Sequence, residues 1–202
     1  MEGKILALVP PASASTAGEP DHGDDEWMLL ARHGRPGAFD ALVRHHQGRA
    51  LAVAYRYLGQ RELAKDVVQN TFLEIYRRLD AYQPHGKFRA YFHRVLLNQC
   101  RMAARSRTIR ARFQERLARV DPDDPVGSLP DEQILARERE RRVERGLLCL
   151  SEKLRAVVVL QFCGDLSQAE IAEALEIKVG TVKSRLSAAL VALRAELGGE
   201  RP

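Results

Sequence analysis

No apolar run in this sequence approaches the roughly 20 residues that a membrane-spanning helix needs, and nothing in it reads as a transmembrane segment. Its one early apolar patch, Ile5 to Val9, is too short for a signal-peptide core and is cut by Pro10 and Pro11. Cysteine is scarce. Cys100, Cys149 and Cys163 are far apart, odd in number and without CxxC spacing, which argues against a disulfide frame or a thiolate zinc site and fits a reducing cytoplasm. Period-two alternation is missing, so no strand is expected. No Ser-His-Asp set, glycine-rich phosphate loop or paired carboxylates stand out, and an enzyme has no residues to rest on. His45 and His46 invite a metal, but neighbouring helix positions point about 100° apart and no carboxylate partner is evident. No metal and no cofactor are expected.

What is present is a soluble helical chain. Of its 202 residues 45% are hydrophobic and 29% charged, with 32 Lys and Arg against 27 acids, a formal charge of +5. The excess is modest, so its distribution matters more than its sum. Residues 1–23 are rich in Pro, Ala, Ser, Thr and Gly without a periodic face and read as a disordered tail. From Asp24 the spacing turns helical: "WMLLARH" forms a short helix, and "AFDALVRHHQGRALAVAYRYLG" a longer one stopped at Gly59. In "ELAKDVVQNTFLEIYRRL" the residues Leu63, Val67, Thr71, Ile75 and Leu79 recur every fourth position, widened by Val68, Phe72 and Tyr76, which predicts a helix buried on one side. Pro84 and Gly86 make "DAYQPHGK" a loop, and Phe88, Tyr91, Phe92, Val95 and Leu96 then begin another core face. "DPDDPVGSLPDEQ" is acidic and broken by Pro122, Pro125 and Pro130, so it reads as a linker. The fold class expected is all-α: two small helical domains, 24–106 and 134–198, joined by a Pro/Asp-rich linker over 107–133.

The second domain carries a helix-turn-helix. In "LSQAEIAEALEIKVGTVKSRL" Ser167 and Glu170 form a capping box, Ile171, Ala172 and Leu175 face inward, and a turn follows at Glu176 to Lys178. On the next helix Val182, Leu186, Leu190, Leu193 and Leu197 define the buried stripe, which turns Lys183, Ser184, Ser187 and Ala188 outward and leaves Arg185 at the flank. Lys183 and Ser184 sit near the helix N-terminus, the part of a recognition helix that enters the major groove, while Arg185 is placed for phosphate.

Acid is nearly absent from His85 to Arg119. Ten basic residues, Lys87, Arg89, Arg94, Arg101, Arg105, Arg107, Arg110, Arg112, Arg116 and Arg119, face the single acid Glu115. So lopsided a stretch repels itself unless an anion is near, and nucleic-acid phosphate is the obvious one. Arg94, Asn98, Arg101 and Arg105 follow one another at helical steps on one face, with Tyr82 and Tyr91 close enough in sequence to stack on bases.

Together "AFDALVRHH", "AKDVVQNTFLEIYRRLDAYQP", "KFRAYFHRVLLNQC" and "LSQAEIAEALEIKVGTVKSRLSAAL" resemble bacterial RNA polymerase sigma factors of the extracytoplasmic-function type, in order and over most of residues 26–197. The resemblance implies a factor that binds core polymerase and directs promoter-specific initiation, melting the −10 element with its first domain and reading the −35 element with its second. It implies a polymerase contact at Asp66, Gln69, Asn70 and Leu73. It implies a −10 face of Tyr82, Lys87, Tyr91, Arg94, Asn98, Arg101 and Arg105, with the "YQPHGK" loop capturing a flipped base, and a −35 face of Thr181, Lys183, Ser184, Arg185 and Ser187. The partners implied are the polymerase clamp helices, promoter DNA and an anti-sigma factor of the kind the family frequently has. The chain departs from the family at Lys65 and Asn70, where Glu is usual, at Tyr91, where Trp is common, at Glu176 and Lys178, where the turn usually has Gly and then Ser or Pro, and at Ala188, where a basic residue is frequent. Two alternatives stay open on the residues alone: a helix-turn-helix regulator that never joins polymerase, whose 61–79 helix would be plain core, and an interaction module that binds no DNA. The DNA faces of the two domains are expected to occlude each other in the free chain.

Overall fold

The computed structural model describes residues 23–114 and 141–197. The tail, most of the linker and the last residues therefore lie outside the described residues. Eight helical segments are described and no strand is found among these residues. They are α1 (Asp24–Arg32), α2 (Ala38–Leu58), α3 (Arg61–Arg77), α4 (Phe88–Gln114), α5 over 141–149, α6 (Glu152–Phe162), α7 (Gln168–Leu175) and α8 (Val179–Leu197). α4 continues past residue 106, where the sequence places the start of the linker.

Local chemistry sets the helix ends. Gly59 closes α2 in the left-handed region at φ +72°, donating its amide to the Tyr55 carbonyl, as a glycine C-cap does. Asp24, Asp25 and Glu26 occupy the first turn of α1, where the helix dipole favours negative charge.

α1 to α4 form one lobe and α6 to α8 the other. The first is built on Leu42, Val53, Tyr57, Ile75, Phe88, Phe92 and Leu96, all buried. Apolar groups withdrawn from water at about 25 cal/mol per Å² supply its cohesion. Phe72, Phe88 and Phe92 stack obliquely at centroid separations of 5.3 to 5.9 Å. The second lobe is built on Val157, Val159, Leu160, Ile171, Val182 and Ala189. α4 packs on α7 and α2 on α6, so the buried apolar set runs unbroken from one lobe into the other.

Most of the predicted α3 stripe is core, but Tyr76 is not. It is 57% exposed and lies edge-on to Phe39, ring centroids 5.0 Å apart. The α8 stripe holds at Val182, Leu186 and Leu193, with Leu190 half-buried and Ala189 fully buried beside them. The side chain of Leu197 lies outside the described residues. No described helix is long and apolar enough to cross a membrane.

Candidate nucleic-acid interface

The helix-turn-helix is assembled by its cap. The Glu170 amide donates to Ser167 Oγ at 3.2 Å, and the Ser167 amide donates back to Glu170 Oε2 at 2.7 Å. Burial would raise the Glu170 carboxyl. Its hydrogen bonds with Ser167 and the nearby Arg89 outweigh that and hold it below the ordinary range. The turn passes through Glu176 at φ 54°, a conformation that costs a residue with a Cβ on the order of 1 kcal/mol. On α8, Lys183, Ser184 and Ser187 are exposed, as the stripe requires, while Thr181 and Arg185 are half-buried. Ser184 Oγ donates to the Thr181 carbonyl at 3.1 Å.

The cationic face of α4 is occupied. Lys87 pairs with Glu173 at 2.9 Å, Arg94 with Glu176 at 2.9 Å and Arg101 with Glu152 at 2.8 Å, every acid coming from the other lobe. Asn98 accepts from Arg101 at 3.4 Å, and Arg105 is exposed. The self-repulsion read from the sequence is relieved inside the chain, by acids 51 to 86 residues away along it. Nothing in the local pattern of α4 signals those partners.

Tyr82 is placed differently from a stacking residue. Only 9% of it is exposed, its ring packs against Phe88 and Tyr91, and its hydroxyl donates to Asp25. Burial and that carboxylate push its ionisation well above the ordinary phenol range. Tyr91 is half-buried, and burial raises it too. The same Asp25 carboxylate accepts from the Gly86 amide, and Arg32 donates to the Tyr82 carbonyl at 3.2 Å. Helix α1 therefore ties down both ends of the 82–86 loop. Sequence reasoning missed this brace. The run of acids at 24–26 was its signal, but their partners lie 57 and 61 residues further on.

Asp24, beside it, is the carboxylate partner that the histidine pair lacked on paper: His46 Nε2 lies 2.8 Å from its Oδ1. Burial would raise Asp24, but the bond to His46 and the charges of His46, His45 and Arg89 hold it below its ordinary value. Ligand atoms of Asp24, His45 and His46 lie within 4.8 Å of one another. The 2.8 Å bond between Asp24 and His46 ties α1 to α2.

A third face lies on α3. Asp66, Gln69, Asn70 and Leu73 are all exposed, Leu73 by 43%. Of the four, Gln69 and Leu73 line a groove of about 640 Å³ between α2 and α3, walled also by Phe39, Val43, Leu51, Val68 and Tyr76, while Asp66 and Asn70 are not among its lining residues. Solvent-facing leucine and tyrosine beside an apolar groove mark a docking surface more than a packing defect. The residues that pair Lys87, Arg89, Arg94 and Arg101 with the second lobe are not among those lining it.

The chain resembles known proteins along most of its length. Residues 42–109 match sigma-70 region 2 and residues 140–193 match sigma-70 region 4. The chain is 34% identical to the RNA polymerase sigma factor CnrH of Cupriavidus metallidurans over 90% of its own length and 97% of that protein. It is 28% identical to the ECF RNA polymerase sigma factor SigW of Bacillus subtilis, covering 82% and 92%. The solved structure of CnrH in complex with the cytosolic domain of CnrY superposes with a TM-score of 0.69 at 27% identity, over 89% of this chain and all of that one.

Proposed function

The chain belongs to the sigma-70 family as a factor of the extracytoplasmic-function type, and on that premise we propose how its surfaces divide the work of promoter-specific initiation. The protein joins RNA polymerase and directs it to promoters. It has no catalytic step of its own and acts in the cytoplasm, where polymerase works. The first lobe, residues 24–106, serves as region 2 and the second, 134–198, as region 4, with 107–133 linking them.

The observation that carries this assignment is the α3 face. A regulator that never met polymerase would have no use for Leu73 and Tyr76 held in solvent beside an apolar groove. With Asp66, Gln69 and Asn70 around them, these residues suit the clamp helices of the enzyme, an apolar contact with a polar rim. On α8, Lys183 and Ser184 face −35 base edges in the major groove, with Thr181 and Ser187 beside them and Arg185 placed for phosphate.

On α4, Lys87, Arg94, Asn98, Arg101 and Arg105 take the −10 strand. Tyr82 supports this from below, as the buried end of a braced loop, and Tyr91 packs beside it. Separating stacked pairs costs about 1.4 kcal/mol per step, more than any one side chain returns. A loop already tied by Asp25 and Arg32 loses less freedom when it receives an unstacked base. An anti-sigma factor is the natural regulator, since the solved neighbour CnrH is held by a cytosolic domain of CnrY.

Co-purification tests the assignment. The chain should retain core polymerase, and Leu73→Asp should lower that affinity by roughly 2 kcal/mol, the scale of an interface hot spot, without moving the melting temperature. Equal retention by the variant would remove α3 from the contact.

A further inference from the structure

We propose that the acidic face of the second lobe is an internal substitute for DNA backbone. In the free chain Glu173, Glu176 and Glu152 hold Lys87, Arg94 and Arg101, and nucleic acid must displace them before α4 can bind it. The proposal rests on the assignment of α4 as a DNA face and adds what controls that face.

The pairing follows the helix. Lys87, Arg94 and Arg101 recur every seventh residue, two turns apart, so they form one stripe about 21 Å long at 1.5 Å per residue. Each cation on the stripe meets an acid of the other lobe at 2.8 to 2.9 Å. Arg89, beside the stripe, is taken as well, by Glu170 at 3.2 Å and by the Asp165 carbonyl. A carboxylate seated on a guanidinium or ammonium offsets its charge and occupies the approach that a phosphate would take, so the two anions compete for the same cations.

The closed arrangement is built, with close approaches at its centre. A Cβ on Gly164 would lie 2.8 Å from the Leu160 carbonyl of its own corner and 3.1 Å from His93 Nε2 of α4, so glycine suits this corner and keeps the approach of α4 close. A Cβ on Gly59 would meet Leu148 at 2.7 Å. Arg155 clips the lobes together, donating to the Tyr57 carbonyl at 2.9 Å on one side and to those of Leu147, Leu148 and Leu150 on the other.

Closure is also one-sided. Lys183, Ser184 and Ser187 stay exposed, as do Asp66, Gln69, Asn70 and Leu73. Polymerase can dock on the closed chain through α3, and the −35 helix can meet DNA, while the melting face remains shielded. The ion pairs are mostly solvent-accessible, with Lys87 61% and Arg94 38% exposed. Pairs of that kind are individually weak and screened by salt, so the shield is reversible.

The test uses the full chain, dyes on the two lobes and a labelled mixed-sequence single-stranded DNA at low salt. Glu152→Gln, Glu173→Gln and Glu176→Gln combined should lower inter-lobe energy transfer and tighten DNA binding by about tenfold, the product of three modest pairs. Adding Arg94→Ala and Arg101→Ala should abolish that gain. A charge-matched control, Asp40→Asn with Glu62→Gln and Glu196→Gln, should gain much less; an equal gain there reduces the effect to net charge and overturns the proposal. Unchanged DNA affinity overturns it as well, and energy transfer then says why. If the lobes separate without binding DNA, α4 is not a DNA face. If they stay together, these acids do not hold α4 shut.

Discussion

His93 shows what a single residue carries in this structure. It is 1% exposed, its Nδ1–H donates to the Arg89 carbonyl at 2.8 Å, and Nε2 is left without a partner beside Gly164. Burial is the main reason its pKa falls to about 4, with His46 and Arg89 adding repulsion and the Arg89 carbonyl and Glu170 opposing them. The folded state thus prefers the neutral ring. Above the unfolded value near 6.5 that costs nothing, and as pH drops toward 4 the unfolded chain takes up a proton that the fold refuses. Stability should therefore decline between pH about 6.5 and about 4, by on the order of 3 kcal/mol at 1.36 kcal/mol per unit. Melting curves of the wild type and His93→Leu across that window check it: the variant should lose most of the slope, and an unchanged slope would assign it to the carboxylates. At this scale the sequence was least legible. Asp24 as the partner of His46, and Asp25 as the anchor of Tyr82 and Gly86, depend on contacts that no local pattern encodes.

Elements were far more legible, because their signals are local. The Ser167–Glu170 spacing specifies a cap that closes in both directions, and the Val182-based stripe turns Lys183, Ser184 and Ser187 to solvent. Ser167→Ala should cost about 1 kcal/mol of stability by freeing amide groups at the start of α7, seen as a lower denaturant midpoint at unchanged slope. A change in slope would mean instead that the lobes had come apart. Tyr76 marks the limit of periodicity. Its spacing on α3 suits a core face, but α2 leaves a groove there, and helix pattern alone does not say where a neighbouring helix ends. The same limit hid the fate of α4, whose charge pattern pointed to an anion without saying that the chain supplies one itself.

The described residues form two helical lobes with three faces, which we propose serve polymerase on α3, −10 DNA on α4 and −35 DNA on α8. Fold class and the order of the lobes were readable because four motifs fall in sequence along the chain. Their mutual arrangement was not, since it depends on ion pairs between distant segments; it pairs the cations of α4 and leaves Lys183, Ser184 and Ser187 of α8 in solvent. Separate weak readers gain affinity when one enzyme holds both, so the faces should act together only in the holoenzyme. Run-off transcription with purified core polymerase on promoter-bearing DNA tests this most directly. A transcript that requires the chain, and is lost when either the −10 or the −35 element is scrambled, is the predicted result; no transcript, or one indifferent to both elements, would contradict the account.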